Sequence, residues 1–163
     1  MQRWWSGSVA AFQAESATDA ALCALQAWPA ESAMLGGLGL IKRLGSAEQC
    51  ISKGEGGRFA DLATRAVKGD KLTPHHMPQA AAGFTSSADG GALVLTEAEH
   101  QLTRTYGFKG ALTAEQEAGI AFRDVLARDI RDVRSISGSR YNQGIRDLVD
   151  YYRANFPELM LKK

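Results

Sequence analysis

Residues 72–79 read Leu72-Thr73-Pro74-His75-His76-Met77-Pro78-Gln79. Pro74 and Pro78 bracket the histidine pair and exclude a continuous helix there. The stretch therefore reads as a short extended segment. Ser86-Ser87-Ala88-Asp89-Gly90-Gly91 follows as a turn, and Ala92-Leu93-Val94-Leu95 as a strand. Thr96 stands three residues before Glu99, the spacing of a capping box, which places His100 in the second turn of a helix. The predicted order is extended segment, turn, strand, helix. It gathers all three histidines of the chain, His75, His76 and His100, within 26 residues.

On the C-terminal side, residues 113–136 read as one amphipathic helix. Thr113 with Gln116 gives a second capping box. Ala118, Phe122, Val125, Leu126, Ile130 and Val133 form its apolar stripe. Asp124, Arg128 and Asp132 stand at i,i+4 spacing on the solvent face. Ser137-Gly138-Ser139 breaks the helix. Residues 141–155 resume it, with Ile145, Leu148, Val149 and Tyr152 inward, until Pro157.

On the N-terminal side, residues 58–68 read as a short helix with Phe59, Leu62, Ala63 and Ala66 on one face. Residues 45–57 are polar and Gly-rich, and are expected to be a loop and a boundary. Lys53-Gly54-Glu55-Gly56-Gly57 lacks the spacing of a phosphate-cradling loop. Residues 8–28 have an Ala/Leu helical pattern, and residues 30–44 an apolar pattern interrupted by Gly36, Gly37 and Gly39. The expected fold class is α+β, mostly helical, with a small two-stranded hairpin-helix core. Residues 1–45 form a helical appendage or connector, and residues 58–163 carry the chemistry.

With 163 residues, 45% of them hydrophobic, the chain can bury a core. The net charge of +1 excludes a polycation. Residues 1–100 hold 8 Lys/Arg against 10 Asp/Glu, and residues 101–163 hold 11 against 8, so the second part is mildly basic. Cys23 and Cys50 form no CxxC motif and are expected to be free thiols in a reducing compartment. No apolar h-region follows Met1-Gln2-Arg3-Trp4-Trp5-Ser6, so no signal peptide is expected. The longest apolar run, residues 33–41, is too short for stable membrane insertion.

Three clustered imidazoles suit phosphodiester hydrolysis. That reaction needs a water, a base to deprotonate it, and positive charge against the phosphate. A divalent cation can supply the charge, and imidazole serves as either ligand or base near pH 7. Adjacent residues of an extended segment point to opposite faces. His75 and His76 are therefore expected to have different roles.

The segment from Thr73 to Gly107 resembles the HNH/endonuclease VII superfamily, whose core is a ββα-metal hairpin and helix. It is similar in particular to the His-His nuclease domains at the C-terminal tips of bacterial polymorphic toxins, including Rhs-type effectors. The resemblance is carried by Thr73-Pro74-His75-His76-Met77-Pro78, the turn Ser86 to Gly91, the strand Ala92 to Leu95, and Glu99-His100-Gln101-Leu102-Thr103-Arg104-Thr105-Tyr106-Gly107. It implies that His75 and His100 bind one divalent ion (Mg, Mn, Ni or Zn) and that His76 is the general base. Asp89 falls where relatives carry a base-orienting residue. Many relatives have a further histidine just beyond the helix histidine. This chain has Thr103 and Arg104 there, and Arg104 is a candidate to grip the phosphate instead.

The implied function is that of a bacterial antagonistic toxin, an HNH-like endonuclease acting on nucleic acid, with DNA the first expectation. Its implied partners are a cognate immunity protein and a parent Rhs-type scaffold. It would be delivered by a secretion system, such as type VI, into the target-cell cytoplasm. The short length and unusual start suit an excised C-terminal module. Three rivals differ in class: a metal-independent ribonuclease using His76 and His100 as base and acid, a non-enzymatic helical interaction module, and a pore former acting through residues 33–44.

Overall fold

The computed structural model describes residues 50–161. Their elements are β1 (Gly56–Arg58), α1 (Phe59–Thr64), β2 (Leu72–His76), a 3-10 turn (Ala80–Ala82), β3 (Gly91–Thr96), α2 (Glu97–Gln101), a second 3-10 turn (Phe108–Gly110), α3 (Ala111–Gln116), α4 (Phe122–Ser137), α5 (Asn142–Asn155) and α6 (Pro157–Met160). The class is α+β. Contacts divide the chain into two units, Met1–Cys50 with Val67–Asp70, and Ile51–Ala66 with Lys71–Lys163. All the elements named above belong to the second unit. The expectations for residues 8–28 and 30–44, for the connector over residues 1–45 and for Cys23 lie outside the described residues. Cys50 is disulfide-bonded, not a free thiol, which corrects the expectation made for it.

The sheet has three strands in the order β1-β3-β2, both pairings antiparallel. This corrects the two-stranded expectation. Gly56–Arg58, read as loop, pairs with β3 through Gly56↔Leu93, Gly57↔Ala92 and Arg58↔Gly91. The central strand β3 is buried from Gly91 to Leu95. Its period-2 side chains feed two cores. Leu93 and Leu95 join Met77, Phe122, Leu126, Val133, Tyr141, Ile145, Leu148 and Tyr152. Ala92 and Val94 join Ile51 and Leu62, with Phe59 and Leu72 against them. A strand covered on both faces is continuously apolar, which is why Ala92 to Leu95 does not alternate. Each fully buried Leu or Val contributes about 1.5–3 kcal/mol.

α5 reaches the sheet through two glycines. A Cβ built on Gly144 would lie 1.8 Å from Gly54 O, and one on Gly56 would lie 1.9 Å from Gly144 O. Neither position can carry a side chain while the backbones stay this close.

The long predicted helix is two helices. α3 ends at Gln116, Gly119 has φ +81°, and α4 begins at Phe122. Thr113 therefore lies inside α3, whose N-cap is Gly110. The Thr113 hydroxyl donates to Arg104 O at 3.1 Å instead of capping a helix. Ala118, assigned to the stripe, is exposed. Phe122, Val125, Leu126 and Val133 are buried, and Asp129 lies among them at 2% exposure. Arg128 pairs with Glu117 at 3.1 Å, not along its own helix. In α5, Ile145, Leu148 and Tyr152 are buried and Val149 packs beside them.

Candidate active site

β2, the turn after it, β3 and α2 bring the three histidines to one pocket. It has a volume of about 520 Å³ and is walled by Phe59, Pro74, His75, His76, Gln79 and Ala80, with Thr105, Tyr106 and Lys109 along the other side. The register His75↔Leu93 and His76↔Ala92 puts the two imidazoles on opposite faces of the sheet. β2 is an edge strand, so a pocket around that edge receives both.

His100 is set by the start of α2. The Thr96 hydroxyl accepts from Glu99 N at 3.2 Å, and the Glu99 carboxylate accepts from Thr96 N at 3.1 Å, the reciprocal pair of a capping box. Glu99 also accepts from Tyr141 at 2.5 Å and from Arg140 at 3.0 Å. Burial raises its pKa, but the hydrogen bonds from Tyr141 and Thr96 outweigh this and hold the carboxyl down at about 2. Glu99 therefore anchors the helix that carries His100 and is not turned to the pocket. Tyr106 packs edge-on against the His100 ring, centroids 5.3 Å apart.

His75 and His100 face one another, ring centroids 4.9 Å apart and planes inclined by 57°. With metal–nitrogen bonds of about 2.0–2.1 Å, two imidazoles sharing one ion stand roughly 5 Å apart centre to centre. Burial, with smaller contributions from the neighbouring imidazoles, lowers His75 to about 3. Burial also lowers His100. Both are neutral at pH 7, the form that ligates. Among the described residues no group of three His, Cys, Asp or Glu side chains could hold a metal. His75 and His100 are therefore the two imidazoles that the pocket offers as ligands.

His76 lies at the other side, stacked on Phe59 with centroids 3.8 Å apart and planes within 19°. Its Nε2 is 2.9 Å from Ser87 O. A carbonyl only accepts, so Nε2 carries the proton and Nδ1 is left with its lone pair. Burial lowers the pKa of His76, with the Ser87 carbonyl raising it in part. The result is a neutral imidazole with one basic nitrogen, held by a stack and a backbone acceptor.

The structure places Asp89 and Arg104 elsewhere. Asp89 accepts from Arg58 at 2.8 Å and 3.1 Å and from the Ser86 hydroxyl at 2.6 Å, and these bonds lower its pKa. Its own carbonyl accepts from Tyr151 at 2.6 Å. It fixes the turn that presents Ser87 O to His76. Arg104 donates to Asp129 at 2.7 Å and to Glu117, carboxylates that are 2% and 4% exposed. Its guanidinium is bound inward and does not line the pocket. Sequence reading did not find Phe59, Gln79, Thr105 or Lys109. The only signal for Gln79 was its place directly after the proline that closes the histidine segment.

Compared with protein-family models, curated proteins and solved structures, the chain matches none of them.

The low His75 pKa has a consequence for stability. The unfolded imidazole titrates near 6.5 and the folded one near 3. Between these values the unfolded chain binds the extra proton. The stability is full above about 6.5 and is lost as the pH falls toward 3, by on the order of 4 kcal/mol. His75→Leu removes this dependence. Urea midpoints of wild type and His75→Leu should move apart in the variant's favour between pH 6.5 and 4. Parallel curves would refute a buried, neutral His75.

Proposed function

We propose that this chain is a bacterial antagonistic toxin domain that hydrolyses phosphodiester bonds in nucleic acid, with DNA as the first substrate to test. One observation carries the reading. His76, with a basic Nδ1, and the pair of neutral imidazoles of His75 and His100, 4.9 Å apart, line the same pocket. β2 carries His75 and His76 and α2 carries His100, with β3 between them in the chain, an order similar to that of a ββα-metal core. His76 Nδ1 takes a proton from water as the water oxygen bonds to phosphorus, and the bond from phosphorus to the leaving oxygen breaks. A divalent ion on His75 and His100 would supply positive charge to the phosphate. Lys109, exposed at the pocket wall, adds a cation toward the nucleic acid backbone.

The delivery route, the Rhs-type parent and the immunity protein rest on the family resemblance. No helix among the described residues is long and apolar enough to cross a membrane.

The metal-independent ribonuclease needs His100 as an acid, carrying a proton at neutral pH. Burial lowers its pKa and works against that role. Calorimetric titration with Mn²⁺, together with cleavage of plasmid and RNA with and without EDTA, tests the proposal. His75→Ala and His100→Ala should each lose Mn²⁺ affinity. The double variant should be little worse than either single, because the two ligands act as a unit. Cleavage unaffected by EDTA, with Mn²⁺ affinity unchanged in the double variant, would overturn the metal site.

A further inference from the structure

Two of the residues that line the pocket, Gln79 and Thr105, each hold a buried polar atom without a partner, Oε1 and Oγ1. Gln79 is 5% exposed and Thr105 is 6% exposed. Buried polar atoms are almost always hydrogen-bonded, so two orphans in one pocket point to a ligand.

The amide of Gln79 is oriented, not free. Its Nε2 donates to Glu117 Oε2 at 3.3 Å. Glu117 is itself held by Arg104 and by Arg128. A carboxylate bound by two guanidinium groups only accepts, so the NH₂ end of the amide must face it. That leaves Oε1 as an obligate acceptor. Gly110 packs directly behind, since a Cβ there would meet Gln79 Cβ at 2.8 Å. Any side chain at Gly110 would push Gln79 out of place.

An obligate acceptor does not bind a phosphate oxygen, which also only accepts. It takes an N–H or O–H group. On a nucleic acid such donors are on the sugar and the bases, not on the phosphodiester. The remaining pocket wall includes Phe59, Pro74 and Ala80, apolar surface suited to a sugar or base.

Resting on the nuclease reading above, we propose that Gln79 Oε1, together with the Thr105 hydroxyl of the same pocket, accepts a hydrogen bond from a donor on the nucleotide next to the cleaved phosphate and so selects the substrate. The donor is either the ribose 2′-hydroxyl or an amino or imino group of the base. Arg104 and Glu117 are positioning residues for Gln79 and do not touch the substrate.

The test is binding of single-stranded RNA, DNA and 2′-O-methyl RNA of one sequence, in EDTA to prevent cleavage, by wild type, Gln79→Leu and Thr105→Val. Thr105→Val is nearly isosteric and guards against a folding defect in Gln79→Leu. Losing a buried acceptor's partner should weaken binding about tenfold or more. A loss for RNA alone identifies the 2′-hydroxyl. An equal loss for all three strands identifies a base donor. Wild-type affinity of both variants for every strand would mean that the atoms hold a resident water only, and would overturn the proposal. So would a drop in Mn²⁺ affinity of Gln79→Leu with unchanged strand binding, because the amide would then serve the cation. If wild type itself binds none of the three strands, the nuclease reading fails and this inference falls with it.

Discussion

His76→Ala is expected to lower cleavage about 10²–10⁴-fold while the protein stays folded. The substitution removes the one pocket nitrogen whose lone pair is guaranteed by geometry, since Ser87 O fixes the proton on Nε2. It leaves His75 and His100 in place, so Mn²⁺ affinity should not change. That combination, binding kept and turnover lost, separates a base from a ligand. It also separates both from the non-enzymatic module, in which no histidine variant changes activity. The measurement is single-turnover cleavage of plasmid and of RNA by purified wild type and variant, alongside inducible expression in bacteria with inspection of chromosomal DNA and ribosomal RNA. A well-folded His76→Ala protein that cuts at the wild-type rate would remove His76 from the mechanism.

The parts that the sequence made legible share one property: their determinants are local. The apolar run Ala92 to Leu95 reads as a strand, and the Thr96–Glu99 capping box is formed as spaced. The stripe of α5 buries Ile145, Leu148 and Tyr152. Pro74 and Pro78 correctly exclude helix around the histidine pair. What was not legible depends on partners far along the chain. Gly56–Arg58 has no strand pattern of its own and is a strand because β3 offers it a ladder. The break between α3 and α4 turns on Gly119, whose positive φ no periodicity reports. Nothing in the helix pattern marks Asp129 as buried, because its partner Arg104 is 25 residues away. The same blindness hid Gln79, whose meaning comes from Glu117, 38 residues on. Arg104 and Asp89 likewise make their bonds to distant partners, Arg104 to Glu117 and Asp129, and Asp89 to Arg58.

Arg104→Leu is expected to destabilise the fold by about 3–5 kcal/mol, because it leaves two buried carboxylates without their cation. Glu117 is 4% exposed and keeps only Arg128, and Asp129 is 2% exposed and keeps none of the ion pairs found here. Burial pushes the Asp129 carboxyl up to about 7 even with Arg104 pulling it down. Without the guanidinium it must desolvate as an anion or take up a proton. Arg104→Lys should fall between, since one ammonium cannot bridge Glu117 and Asp129 as the planar fork does. For a chain of this size each kcal/mol moves the melting temperature by roughly 2–4 °C. Thermal unfolding of the two variants therefore reads the effect directly. The double variant Arg104→Leu with Asp129→Leu should recover much of the loss, because replacing a buried ion pair with apolar groups removes the stranded charge. If Arg104 instead gripped the phosphate, Arg104→Leu would melt like wild type and fail only in cleavage. Stability lost in the single variant and regained in the double one would place this arginine in the scaffold behind Gln79.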